Sequence, residues 1–326
     1  MAELRYNALF REWVLYVPER SDPKKPHDTG TVGPSQSRMC PFDSDAFLKD
    51  QGVIDAYPSL DRWIAVISPD KYGGMSRSTS LKTLSSEYFF KTMNGYGIHD
   101  VIVFSDHNKR ISHYDAQEFF HILEMLKKRI ISVDADASIS SYALIQRCGF
   151  KASASLSHPH MHLIFSPIIP GELSSLLSTC YTYFQEERET LLEGYIRREI
   201  AYGDRIIFQD PYAVSLVQYA GLFPADIIVA PQKAYPHMHM TPEIVMQSVA
   251  RALIQTLRLL DEAFHTPDYG LHLYSAPLQD GGLYPYMHWF FRITPRFSVQ
   301  GPSESGIPIV TLLPEVAASR MRTTTV

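Results

Sequence analysis

The stretch Cys148-Gly149-Phe150-Lys151-Ala152-Ser153-Ala154-Ser155-Leu156-Ser157-His158-Pro159-His160-Met161-His162-Leu163-Ile164-Phe165 decides how this chain reads. It opens as a loop of small residues and closes in a run, His160 to Phe165, that reads as a strand. Side chains two apart on a strand share a face, so His158, His160 and His162 line one side. Imidazole is the side chain that titrates nearest neutral pH. A neutral imidazole can attack phosphorus while a neighbour bonds the phosphoryl oxygens. Alternating histidines also serve as zinc ligands, and packing alone is a third explanation. Gly149, Ser153 and Ser155 let backbone N–H groups and hydroxyls approach a phosphate closely.

Working outward, short apolar runs predict strands at Glu12 to Val17, Trp63 to Ser68, Asp100 to Ser105 and Ser141 to Gln146. Apolar residues at Phe119, Ile122, Leu123, Leu126 and Ile130 form a helical stripe within Tyr114 to Ile131. Ser174 to Ile200 reads as mostly helical. The second half repeats the theme. Strands are expected at RIIFQD, AVSLVQ, ADIIVA, GLHLYS and YMHWFFRIT, with an amphipathic helix over Pro242 to Phe264 and a short one over Pro314 to Arg322. His160-Met161-His162-Leu163 and Met287-His288-Trp289-Phe290 sit at corresponding points. The expectation is an α+β fold of two similar halves, 1–172 and 173–326. The Lys127-Lys128-Arg129 run reads as the solvated face of a helix. Pro236-His237-Met238-His239-Met240 reads as a helix entry, His272 as a sheet histidine and Cys148 as a packing residue.

The 326 residues are 45% apolar and 20% charged, with a formal net charge of -5. That is ordinary for a globular protein with a sizeable core. No run of Lys or Arg suggests nucleic-acid binding or a membrane surface. No stretch approaches the roughly 20 apolar residues of a membrane span. Three cysteines argue against a disulfide framework and for a reducing compartment. The opening MAELRYNALFREW has no apolar signal core, so a cytoplasmic protein is expected. No Walker A or dinucleotide fingerprint is present.

At the histidine motif the chain resembles the galactose-1-phosphate uridylyltransferase family, a branch of the histidine-triad superfamily. Ala154-Ser155-Leu156-Ser157-His158-Pro159-His160 is similar to its active-site signature. Arg5-Tyr6-Asn7, Glu12-Trp13-Val14-Leu15 and Pro18-Glu19-Arg20 resemble its N-terminal signature. Cys40-Pro41-Phe42-Asp43 resembles its Cys-Pro-x-Cys knuckle. Ser68-Pro69-Asp70-Lys71-Tyr72 is similar to its nucleoside-contacting turn, and His99 to Phe104 with Asp106-His107 to its third strand and zinc histidine. Glu304 to Gly306 and Pro314-Glu315 resemble its C-terminal segment.

The resemblance implies two histidine-triad-like halves around an antiparallel, barrel-like sheet with outer helices. It implies a ping-pong nucleotidyl transfer in carbohydrate metabolism. His160 would take the nucleoside monophosphate from a nucleotide sugar or similar activated nucleotide, and a sugar phosphate or phosphate would remove it. A phosphorylase or hydrolase acting on an adenylylated substrate, and a non-catalytic nucleotide- or metal-binding protein, are the alternatives. Arg20, Asp70, Lys71, Arg147, Gly149, Ser153 and Ser155 would contact the nucleotide and its phosphates, with Arg20 near the partner's site in a homodimer. Structural zinc would be held by Cys40, Asp43, His107 and His158. The chain departs from the pattern at four places, one of them Arg147, which stands where the family's loop carries an asparagine that contacts the nucleotide and is an alternative phosphate ligand. Asp43 replaces the second knuckle cysteine, although a carboxylate can ligate zinc. His162 stands where the uridylyltransferases carry Gln and can assist a leaving group. His288-Trp289-Phe290 replaces the late His-x-His pair, so a second metal is not expected.

Overall fold

Apolar runs of three to eight residues build one long antiparallel sheet. The computed structural model describes residues 2–7, 12–16, 42, 48, 52–78, 80–278, 282–297 and 308–324. The strands are β1 (Glu3–Asn7), β2 (Glu12–Tyr16), β3 (Asp55–Tyr57), β4 (Ala65–Pro69), β5 (Thr83–Ser85), β6 (Thr92–Asn94), β7 (Ile98–Phe104), β8 (Ser141–Cys148), β9 (His160–Ser166), β10 (Ile206–Gln209), β11 (Ala213–Val217), β12 (Ile227–Pro231), β13 (Asp268–Tyr274) and β14 (Phe290–Arg296). The helices are α1 (Ala116–Asp134), α2 (Gly171–Glu187), α3 (Leu191–Tyr202), α4 (Glu243–Phe264) and α5 (Pro314–Thr323).

Ten strands pair in the order β10-β11-β12-β14-β13-β8-β9-β7-β4-β3, and a four-stranded sheet runs β2-β1-β6-β5. The long sheet passes through both halves of the chain, joined where Leu144 of β8 faces Leu273 of β13. On either side of that seam the connectivity repeats. β7-α1-β8-β9 gives the spatial order β7-β9-β8, and β12-α4-β13-β14 gives β12-β14-β13.

The two faces of the sheet are covered differently. Met161, Leu163 and Phe165 of β9 and Leu271 and Leu273 of β13 turn to one face, where α1 and α4 bury Phe119, Leu123, Leu126, Val249, Leu253 and Leu257 against them. Each such side chain contributes roughly 1.5–3 kcal/mol on burial. α1 starts at a capping box in which Asp115 accepts from Gln117 N–H and Glu118 accepts from Asp115 N–H. On the opposite face, α2 and α3 cover only the second half, with Leu173, Leu177, Leu192 and Ile196 over Leu216, Ile228 and Phe290. Val66, Val101 and Val103 at the other end pack with Phe42, Val53 and Trp63. Among the described residues, the strip between these two clusters carries the histidines of β9.

Ser174 to Ile200 is mostly helical as read, and it divides into two helices because Arg188 takes a left-handed conformation that ends α2 and Thr190 caps α3. One sequence expectation is corrected. The Lys127-Lys128-Arg129 run is not simply a solvated face. Arg129 Nε donates to Asp100 of β7 at 2.7 Å, and Lys127 donates to the Thr241 carbonyl. The segment around His237 is a helix entry as read, a single 3-10 turn at Met238–Met240 ahead of α4.

Candidate active site

The pleat decides what faces the open strip. With Met161 and Leu163 turned to the core, His160 and His162 must point the other way. Their cross-strand partners on β7 are Val103 and Val101. On the other side, Ile145 of β8 pairs with His162, which places exposed Arg147, two residues on, beside His160 on the same face. Gly270 of β13 pairs with both Arg147 and Thr294, and a Cβ there would come within 2.8 Å of Thr294 Oγ1. The floor beyond Arg147 is therefore low. Arg296 lies two residues past Thr294 on β14, its guanidinium over the Phe223 ring.

His160 is buried, 6% exposed. Its Nδ1 lies 2.7 Å from the carbonyl oxygen of His158. A carbonyl only accepts, so Nδ1 carries the hydrogen and Nε2 presents its lone pair. Burial pushes the imidazole down to about 4, with the charges of His162 and His158 adding to the effect, so the ring is neutral near pH 7. A neutral imidazole with a fixed tautomer and an open Nε2 is a competent nucleophile.

His162 is half-exposed, with its ring perpendicular to that of His160 and centroids 5.0 Å apart. Its Nδ1 meets His99 Nε2 at 3.0 Å and Asp70 Oδ2 at 3.6 Å. Asp70 also accepts the Tyr72 N–H through Oδ1. Burial works to raise the Asp70 carboxyl, but the neighbouring imidazoles of His162 and His99 and the hydrogen bond from Tyr72 N–H outweigh it and hold the group well below the usual carboxylate range. Asp70, His99 and His162 each offer a ligand atom within 4.8 Å of the others.

His158 turns away from the open strip. Its Nε2 donates to the Phe104 carbonyl at 2.6 Å, and its Nδ1 faces His107 Nδ1 at 3.2 Å. A ring whose Nε2–H is held by a carbonyl and whose Nδ1 converges with a second imidazole nitrogen matches the usual support of a metal-ligating histidine. Phe42 stacks edgewise on His158 at 5.5 Å, and Phe42 is flanked in sequence by the Cys40 to Asp43 knuckle.

The structure thus brings His160, His162 and Asp70 together, and His107 to His158. Gly149 sits at φ +87°, where a Cβ would collide with the Asp268 carboxylate, and the loop continues through Ser153 in a left-handed turn to half-buried Ser155. Lys71 is exposed in the turn after β4. Arg20, Cys40, Asp43 and Glu304 to Gly306 lie outside the described residues. His99 is the site residue that sequence reasoning missed. Its alternation with Val101 and Val103 was available as a signal, but only the β7–β9 register shows that it meets His162.

No protein-family model matches the chain. Individual proteins do. It is 26% identical over 330 residues to an ADP-glucose phosphorylase of Arabidopsis thaliana, covering 98% of this chain and 92% of that one. It is 22% identical over 284 residues to a galactose-1-phosphate uridylyltransferase of Haemophilus influenzae, covering 84% and 78%. The chain is thus similar over most of its length to galactose-1-phosphate uridylyltransferases and to an ADP-glucose phosphorylase. The fold agrees: the structure of an ADP-glucose phosphorylase from Arabidopsis thaliana with bound ADP-glucose superposes over 100% of both chains with a TM-score of 0.75 at 25% identity. The similarity spans the long sheet from end to end, so the family's frame extends well beyond the histidine motif.

Proposed function

We propose that this uridylyltransferase-like chain is a nucleotidyltransferase that works through a nucleotidyl-His160 intermediate. The observation that carries the reading is the hydrogen bond from His160 Nδ1–H to its own strand's backbone, which leaves Nε2 bare on the open strip. The Nε2 lone pair forms a bond to the α-phosphorus of a nucleotide sugar. The P–O bond to the leaving sugar phosphate breaks, and the bond pair departs with that oxygen. The positive charge gained by the imidazole is stabilised at Nδ1–H by the His158 carbonyl. Phosphate or a sugar phosphate then attacks the same phosphorus, and the N–P pair returns to Nε2. The proton on Nδ1 stays in place throughout.

The rest of the strip divides the substrate. The apolar cluster of Val66, Val101, Val103 and Trp63 fits the base, and the Gly149 to Ser155 loop, Asp70 and Lys71 fit the nucleotide's ribose and phosphates. Arg147, with Arg296 beyond the Gly270 floor, fits the phosphate of the second substrate, since guanidinium groups bind phosphate through paired N–H donors. The two halves, 1–172 and 173–326, act as copies of one unit, and the chain works as a homodimer with Arg20 near the partner's site.

The convergent Nδ1 atoms of His107 and His158 fit a zinc ion, with Cys40 and Asp43 as the remaining ligands. Zinc there would be structural, tying the knuckle to the start of β9. His158 then has two tasks: its ring anchors the metal and its carbonyl fixes the nucleophile.

The reading is tested by the intact mass of the protein after brief mixing with ADP-, UDP-, GDP- and CDP-sugars, beside His160→Gly. The expected result is an adduct of one nucleoside monophosphate in the wild type and none in the variant, and the added mass names the base. Absence of an adduct with every donor, under conditions where the donors bind, would overturn it.

A further inference from the structure

One edge of His162 faces the open strip beside His160, and the opposite edge meets His99 and Asp70. Gly74 N–H lies 3.1 Å from His99 Nδ1. A backbone amide can only donate, so Nδ1 of His99 keeps its lone pair. The turn after β4 is shaped for this contact. A Cβ on Gly73 would meet His99 Cβ at 2.9 Å and the Asp70 carbonyl at 3.1 Å, so only glycine lets the backbone lie against the ring.

Neutral His99 must then carry its hydrogen on Nε2, and the nearest acceptor is His162 Nδ1 at 3.0 Å, with Asp70 Oδ2 next at 3.4 Å. An Nδ1 that accepts forces neutral His162 to carry its own hydrogen on Nε2. That is the edge on the open strip, and no described residue hydrogen-bonds it. A chain of single-direction bonds runs from Gly74 N–H through His99 to His162 and fixes the tautomer at its far end.

We propose that His99 is a positioning residue that holds His162 as the Nε2–H tautomer, so that His162 donates to the phosphoryl oxygens transferred at His160. The inference rests on the nucleotidyl-histidine reading above. Asp70 orients the same pair from the side through Oδ2 while its Oδ1 is held by Tyr72 N–H.

The same three side chains also have the spacing of a metal site. The Gly74 contact argues against that use. A histidine that ligates through Nε2 normally donates its Nδ1–H to an acceptor. His99 has a donor there instead, so a metal on Nε2 would require either a doubly deprotonated ring or the loss of the Gly74 bond.

Two readouts test the proposal. The first is the nitrogen NMR spectrum of ¹⁵N-histidine-labelled protein, with His162 assigned by comparison with His162→Gln. The expected spectrum shows His162 protonated at Nε2 and bare at Nδ1, with that preference lost in His99→Leu. The second is the single-turnover rate of adduct formation. His99→Leu is expected to slow it by about 10-fold or more, with donor affinity changed less than about threefold. His99→Gln, whose amide nitrogen can donate from where Nε2 stands, is expected to restore most of the rate. An Nδ1–H tautomer of His162 in the wild type overturns the proposal whatever the enzyme's activity. So does a fully active His99→Leu, or a stoichiometric divalent metal that His99→Leu alone removes. A wild type with the expected tautomer but no adduct would instead sink the nucleotidyl-histidine reading and leave the hydrogen-bond chain standing.

Discussion

Arg129→Met should destabilise the protein strongly at neutral pH and much less in mild acid. The Asp100 carboxylate is 1% exposed on the helix-side face of β7, and Arg129 of α1, itself 17% exposed, meets it at 2.7 Å. Burial already raises the Asp100 carboxyl above its ordinary value, and the Arg129 contact opposes that rise. At an effective dielectric of about 20 the pair is worth at most about 6 kcal/mol. Removing one partner of a buried pair typically costs about 3–5 kcal/mol. The cost has a second ceiling, because Asp100 can take up a proton rather than stay charged. From an unfolded value near 3.9, that uptake costs about 4 kcal/mol at pH 7 and about 1.5 kcal/mol at pH 5. A raised carboxyl binds protons more readily folded than unfolded, so its destabilising effect grows as pH rises from the unfolded value toward the folded one. Urea unfolding of wild type and variant at pH 5 and pH 7 should therefore give losses of about 1.5 and 3–4 kcal/mol. Asp100→Asn with Arg129→Met should lose less at pH 7 than Arg129→Met alone. A loss below about 1 kcal/mol at pH 7, or one equal at both pH values, would refute the reasoning.

His288 is fully enclosed, and burial pushes its imidazole down to about 3. The unfolded chain then binds the extra proton first, so stability should fall by about 1.4 kcal/mol per unit as pH drops below about 6.5. His288→Phe should flatten that slope in acid unfolding curves. Gly149→Ala places a Cβ 2.0 Å from Asp268 Oδ1 at a φ of +87°. It should cost about 1–3 kcal/mol in backbone strain alone, measured by urea unfolding, and Asp268→Ala should recover part of any further loss. Arg147→Ala should lower kcat/KM for the phosphate-bearing second substrate by about 10-fold or more in steady-state assays, with Arg147→Lys intermediate. Substitution of His107 or His158 by Ala should lower bound zinc per chain, read by elemental analysis.

Much of the frame was legible because it depends on local pattern. The strand at His160 to Phe165 and the helix ending at Phe264 were placed within a residue by alternation and apolar stripe alone. The strands β3, β5 and β6 were not, since three-residue elements carry too few apolar positions to show a period, and neither was β1, whose Glu3–Asn7 run holds one aliphatic residue, Leu4. The proposed nucleophile was visible in His158-Pro159-His160. What holds it was not, because that is a backbone carbonyl, and every residue has one. His99 and Gly74 escaped notice for a related reason: they lie 63 and 88 positions before His162, and only the β7–β9 register brings His99 to it and a tight turn brings Gly74 to His99. Arg129 was misjudged because a basic run on a helix reveals nothing about which member finds a buried carboxylate.

The repeated β-α-β-β connectivity has a countable consequence. One copy leaves its strip open beside His160, and the other has the corresponding face roofed by α2 and α3, with Tyr274 and Phe290 stacked beneath. A chain that contains two copies of the unit should therefore titrate as one equivalent. In a burst experiment each polypeptide should load a single nucleotidyl group, and the roofed copy's contribution to turnover should be limited to keeping its twin in register.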